Sequence, residues 1–130
     1  MKKNTTTLKN KRTMDTQEIN GDDYRVHYNP ESVTVSFIGE LSLSGPADYA
    51  PIAQLLDDVA NQEPSTMILD LRKLEFLNSS GISLVSKFAI NMRKRKTIQV
   101  IVMGSNTIPW QGKSLKNLEK LFPGLKLELE

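Results

Sequence analysis

The chain of 130 residues contains no cysteine and a single histidine, His27. Without cysteine it can form no disulfide, no thiolate nucleophile and no cysteine-ligated metal site. One histidine cannot supply the ligand set that zinc requires, and it leaves a serine nucleophile without a neighbouring base in the sequence. We therefore expect no metal, no cofactor and no enzymatic activity.

Long apolar runs are missing as well. No run approaches the roughly 20 residues that a membrane-spanning helix needs, and no apolar stretch follows the N-terminal lysines, so no secretory signal is expected. Hydrophobic residues make up 38% and charged residues 25% of the chain, the proportions of an ordinary globular domain. This composition favours a cytoplasmic protein without a membrane partner.

Apolar side chains are scarce at the N-terminus, where the first twelve residues contain no acid and five basic residues: Lys2, Lys3, Lys9, Lys11 and Arg12. Such a stretch cannot bury enough apolar area to become ordered. The sequence therefore predicts a flexible basic tail over residues 1–20, followed by one domain over residues 21–130. Because the five charges are diluted by threonine and asparagine, we expect no nucleic-acid partner.

The nearest approach to a nucleotide-binding motif is Gly112-Lys113-Ser114. A P-loop also needs a glycine five residues before Gly112, where the backbone bends around phosphate, and that position is Thr107. Pro109 removes an N–H group from the loop that would have to donate to the phosphate. These three residues are therefore predicted to be the start of a helix.

Hydrophobic periodicity predicts the order of the secondary-structure elements. Alternation from Tyr24 to Phe37 around Asn29-Pro30 predicts a β-hairpin, and a helix is predicted from Pro51, because proline suits the first position of a helix and not its interior. The remaining elements are strands at 66–70, 97–103 and 125–129 and helices from Ser79 and Ser114. The order β-β-α-β-α-β-α-β predicts an α/β domain with a mixed sheet.

Residues 65–82 are the most informative segment, because a buried strand leads there into a helix that begins at Asn78-Ser79-Ser80-Gly81. Asparagine and serine are favoured at helix N-termini. A serine at that point is exposed and lies near the positive end of the helix dipole, where an attached phosphate is electrostatically favourable. The alternative interpretation is that Ser79 only caps the helix.

The run DLRKLEFLNSSGI, from Asp70 to Ile82, resembles the signature of STAS domains, the fold of the bacterial anti-sigma-factor antagonists. Gly39-Glu40-Leu41 resembles a second family motif, G-E-L-D. The resemblance implies a STAS-like mixed β-sheet packed with α-helices. It also implies that Ser79 is phosphorylated by a serine kinase of anti-sigma type and dephosphorylated by a serine phosphatase, with Ser80 as the second candidate.

Two residues depart from the family pattern. Asn78 stands where the family has an acidic residue before the serine, and Ser42 stands where it has an aspartate after G-E-L. The family's fold places both positions near the phosphorylated serine. A phosphate on Ser79 would therefore escape like-charge repulsion, whereas a kinase that recognises the acidic pair would not find it here.

The predicted function is that of a non-enzymatic signalling regulator that acts by phosphorylation-dependent partner switching. At 100° per residue, Ser79 shares the helix face opposite the core with three residues of the predicted docking surface. The whole surface consists of Ser42, Asn78, Ser80, Gly81, Ser83, Lys87 and Ile90. The alternative function is an unphosphorylated STAS scaffold or accessory subunit of a larger signalling or transport complex.

Overall fold

A computed structural model describes residues 14–130 and contains six strands and three helices over that range. In chain order they are β1 (Gln17–Asn20), β2 (Tyr24–Asn29), β3 (Thr34–Leu41), α1 (Pro46–Asn61), β4 (Thr66–Leu77), α2 (Ser79–Met92), β5 (Gln99–Gly104), α3 (Gln111–Leu121) and β6 (Lys126–Leu129). The predicted element order and the mixed α/β architecture are confirmed, with one additional strand at the N-terminal end.

The six strands form one sheet in which spatial order follows chain order. Strands β1, β2 and β3 pair antiparallel. Strands β3 to β6 pair parallel, and one helix connects each of them to the next. Since parallel crossovers are right-handed, successive crossovers in one direction bring all three helices to the same face. Alternate strand residues such as Val35, Phe37 and Leu69 are buried in a single hydrophobic cluster with these helices.

Strand β1 corrects the predicted boundary of the N-terminal tail. Residues 17–20 pair with β2 in the register Gln17 with Tyr28 to Asn20 with Arg25, so they belong to the sheet and not to a flexible tail. The sequence pattern misses this strand because only Ile19 is apolar, and backbone pairing at a sheet edge needs little burial. Residues 1–13 of the predicted tail lie outside the described residues.

Helix α1 begins at Pro46 and contains Pro51 in its second turn, which corrects the predicted start at Pro51. A proline there removes one backbone hydrogen bond and is normally unfavourable. The first turn is nevertheless held from outside the helix, because the Tyr49 side chain is 2% exposed and is bonded to the neighbouring chain segments. Tertiary contacts thus outweigh the local preference.

Strand β4 extends to Leu77, beyond the predicted end at Asp70, so residues 71–77 belong to the strand as well. Two register shifts against β3, between Ser36 and Ile38 and between Gly39 and Glu40, allow pairing to continue to Leu77. Pairing with β5 ends at Asp70, and beyond it the Asp70 carboxylate accepts bonds from Arg72, which hold the pKa of Asp70 below its usual range.

Beyond Asp70, where pairing with β5 ends, the Gln111 side chain provides hydrogen bonds to the backbone of β4. Its side-chain amide Nε2 donates to the carbonyls of Leu71, at 2.6 Å, and Leu74, at 3.0 Å, while its Oε1 accepts from the Ser105 N–H at 2.7 Å. The Trp110 indole N–H also donates to the Leu74 carbonyl, at 3.0 Å. Helix α3 begins at Gln111, three residues before the predicted Ser114. The bonds of Gln111 and Trp110 hold the segment of β4 that leads into α2.

Candidate functional site

The site predicted from the sequence is the junction between β4 and α2. Asn78 is the N-cap residue: its Oδ1 accepts from the Gly81 N–H at 3.0 Å, and its carbonyl accepts from the Ile82 N–H at 2.9 Å. Ser79 is therefore the first residue of the helix and not its cap. Because Asn78 provides the capping oxygen, the hydroxyl of Ser79 is not required to hold the helix end.

Asn78 also belongs to a ring of hydrogen bonds that joins three segments. The Leu43 N–H donates to the Tyr49 hydroxyl at 3.4 Å, the Tyr49 hydroxyl donates to Asn78 Oδ1 at 2.7 Å, and Asn78 Nδ2 donates to the Leu43 carbonyl at 2.8 Å. Burial raises the pKa of the Tyr49 hydroxyl, which therefore keeps the proton that it donates. The loop after β3, the first turn of α1 and the cap of α2 are thus locked together.

Gly81 leaves room for this ring. A Cβ at residue 81 would meet the Leu77 side chain and would lie 2.8 Å from the Tyr49 hydroxyl. The space beside Gly81 is thus occupied by this chain's own Tyr49 and Leu77 side chains. The glycine is buried, so this predicted docking residue is not accessible for direct contact.

The predicted docking stripe on α2 is exposed. Ser79, Ser83, Lys87 and Ile90 are all exposed, with 37% of the Ile90 surface accessible, whereas the opposite face, including Val85, Ala89 and Met92, is buried. Asn78 and Ser80 are half-buried, and Ser42 is exposed on the loop after β3. The structure thus places the predicted residues at one helix and one adjoining loop.

A groove of 390 Å³ lies between α1 and α2. It divides the predicted docking residues, because Ser80, Ser83 and Lys87 line it whereas Ser79 and Ile90 do not. Its other walls are mainly apolar and come from α1 and the inner side of α2: Pro46, Tyr49, Ala53, Leu56, Asp57, Leu84, Phe88 and Asn91.

Tyr49 bonds to the site at Asn78, although the sequence pattern does not identify it. Tyr49 lies N-terminal to the predicted start of α1, so periodicity assigns it no face. Phe76, three residues before Ser79, is 46% exposed although apolar strand residues are normally expected to be buried. A longer helix beginning at Pro46 is the only sequence interpretation that would have placed Tyr49 toward the core.

The residues of the incomplete P-loop motif belong to a helix. Gly112, Lys113 and Ser114 lie within the first turns of α3, whose N-cap is Trp110. Within residues 14–130 no group of three or more histidine, aspartate or glutamate side chains is placed to hold a metal ion. Over the same range, none of the helices combines the length and apolarity that crossing a bilayer requires.

Comparison with solved structures identifies the fold. SiaC of Pseudomonas aeruginosa superposes with a TM-score of 0.68 at 13% sequence identity, covering 90% of this chain and 98% of that one. An anti-sigma factor antagonist from Mycobacterium paratuberculosis superposes with a TM-score of 0.51 at 19% identity, covering 90% and 86%. The chain has the STAS-like fold.

A third match is a chain in the crystal structure of the diguanylate cyclase SiaD in complex with its activator SiaC from Pseudomonas aeruginosa. The TM-score is 0.66 at 12% identity, and the match covers 87% of this chain and 97% of that one. No protein-family model and no curated protein matches the sequence. The structural neighbours of the STAS-like fold of this chain are thus regulatory proteins, one of them named as the activator of an enzyme.

Proposed function

We propose that this protein is a non-enzymatic, cytoplasmic regulator that works by a phosphorylation-dependent partner switch. Unmodified, it docks the surface around Ser79 onto a serine kinase or an anti-sigma-type protein. Phosphorylation of Ser79 breaks that complex, and a serine phosphatase restores it. The proposal rests chiefly on Ser79 itself, which is exposed on the first turn of α2 and is relieved of capping by Asn78.

The electrostatics of this surface favour a switch. Neither the loop segment Ser42–Gly45 nor the helix segment Asn78–Ser83 contains a charged residue. A phosphate on Ser79 adds roughly −1.5 to −2 charge to these two uncharged segments. The helix dipole tolerates that charge within the protein, but a partner surface that fits the neutral form would have to desolvate it.

The structural neighbours support a role in protein binding. SiaC is named as the activator of a diguanylate cyclase, and the mycobacterial protein is named as an anti-sigma factor antagonist. The name of SiaC equally favours the alternative function, in which this chain is a scaffold or accessory subunit of a signalling complex and needs no phosphorylation. The two functions differ in whether Ser79 is modified.

Ser79 is expected to carry the phosphate in the cells that produce the protein, because its hydroxyl is the exposed one at the helix start. We expect the intact mass of the purified protein to include a species with one phosphate, and phosphopeptide mapping to assign it to Ser79. Ser79→Ala should remove that species, and the matched variant Ser80→Ala should retain it. Modification of Ser80 alone would contradict the assignment to Ser79, and an unmodified wild-type protein would favour the scaffold function.

Ile90→Glu is expected to weaken the partner complex at least tenfold without unfolding the domain. Burying the exposed part of Ile90 on binding contributes about 1 kcal/mol, and a buried unpaired carboxylate costs more than that gain. Calorimetry against a partner protein isolated by pull-down with the wild-type protein measures the affinity, and circular dichroism reports the fold. Asn117→Glu on α3 is the control, because it adds the same charge at an exposed helical position outside the site. Equal weakening by both variants would contradict a specific role of Ile90.

A further inference from the structure

We infer that Tyr49 is a positioning residue for the Ser79 surface, an inference that rests on the proposed function. The part of the docking surface around Ser79 consists of two chain segments, the loop Ser42–Gly45 and the helix start Asn78–Ser83, which are separated by more than thirty residues of sequence. Tyr49, from the first turn of α1, is the residue that bonds to both.

The Tyr49 hydroxyl is one of two side-chain links between the segments, beside the direct bond from Asn78 Nδ2 to the Leu43 carbonyl. The Tyr49 hydroxyl accepts from the Leu43 N–H of the loop at 3.4 Å and donates to Asn78 Oδ1 of the helix start at 2.7 Å. The same Asn78 oxygen accepts from the Gly81 N–H at 3.0 Å. Since Tyr49 is 2% exposed, no water can replace its hydroxyl without rearrangement of the groove wall.

Asn78 closes the ring with a bond that the acidic residue of the family pattern could not make. Its Nδ2 donates to the Leu43 carbonyl at 2.8 Å, whereas a carboxylate at this position would face that carbonyl with a second acceptor. The amide nitrogen of Asn78 therefore has a structural role. It fixes the loop that carries Ser42 against the helix start and leaves the combined surface uncharged.

A surface fixed in this way should recognise a neutral, hydrogen-bonding partner surface. Ser42, Ser44, Ser79 and Ser83 present exposed hydroxyl groups there, and no charge lies within the two segments. Release of the loop would separate these hydroxyl groups without removing any of them. The Tyr49 hydroxyl therefore acts on Ser79 through Asn78 and Leu43, and not by contact with the partner.

Tyr49→Phe tests the inference because it keeps the buried ring and removes only the hydroxyl. By amide exchange in NMR spectra, we expect the N–H groups of Leu43 and Gly81 to exchange up to tenfold faster, which is the loss of one typical hydrogen bond. We also expect the phosphorylated fraction at Ser79 to fall several-fold. Tyr28→Phe, at a buried tyrosine of β2 outside the ring, should have neither effect.

The outcomes separate the inference from the proposed function. If Tyr49→Phe leaves both amide exchange and Ser79 phosphorylation unchanged while the wild type is phosphorylated, the positioning role is wrong and the switch stands. Faster exchange with unchanged phosphorylation also overturns it. If the wild type is never phosphorylated, the proposed switch is wrong. Amide exchange at Leu43 and Gly81 then decides whether Tyr49 orders the surface.

Discussion

Gln111→Leu is expected to lower the free energy of unfolding by about 3 kcal/mol or more, because three hydrogen bonds to buried backbone groups are lost together. Leucine has a similar volume but cannot satisfy the carbonyl of Leu71 or the N–H of Ser105. The residue is completely buried, so water cannot replace it. We expect the thermal midpoint to fall on the order of 10 °C, measured by calorimetry.

Gln62→Leu is the matched control for that variant. The side-chain oxygen of Gln62 is buried and has no hydrogen-bond partner among residues 14–130. Replacing this amide by an apolar side chain removes an unsatisfied polar atom, so the free energy of unfolding should stay the same or rise. A similar loss of stability in both variants would mean that side-chain shape, and not hydrogen bonding, explains the effect at Gln111.

Gly39→Ala is expected to lower the free energy of unfolding by about 3 kcal/mol as well, for reasons of backbone geometry. Gly39 has a φ of +96°, a conformation that costs other residues on the order of 1–3 kcal/mol. An added Cβ would also meet the backbone carbonyl of Asp23, which accepts the N–H of Glu40 at 2.9 Å. Because backbone atoms cannot move aside as a flexible side chain can, urea denaturation should give a clearly lower midpoint.

Gly112→Ala provides the control for a glycine-to-alanine change. Gly112 lies in the first turn of α3, and no atom lies within 4 Å of the position that its Cβ would take. Alanine is favoured over glycine in helices by up to about 1 kcal/mol, so this variant should be neutral or more stable. A large loss of unfolding free energy at Gly112, or none at Gly39, would contradict the role of backbone geometry at Gly39.

The order of the elements could be predicted from the sequence because it depends on local periodicity. Alternation over β2 and β3 and the helical spacing after Ser79 need no knowledge of distant residues. The resemblance of residues 70–82 to STAS domains agrees with the fold found by structural comparison. The exposed position of Ser79 also follows from its place just after a buried strand, although its phosphorylation stays a prediction.

The wrong element boundaries all have non-local causes. Strand β1 exists because β2 offers an edge to pair with, although its own sequence is mostly polar. Helix α1 tolerates Pro51 because Tyr49 is anchored 29 residues away, at Asn78. In each case a contact between distant residues outweighs a local preference, and a pattern confined to one segment cannot contain that information.

The sequence by itself thus determined the fold class, the helix that follows Asn78 and the neutral charge of the segment that carries Ser79. Only the tertiary structure decided that Asn78 is the cap, that Tyr49 and Leu43 bond to it, and that Gln111 completes the edge of β4. The physical reason is that periodicity and charge belong to neighbouring residues, whereas buried hydrogen bonds join whichever residues the chain brings together.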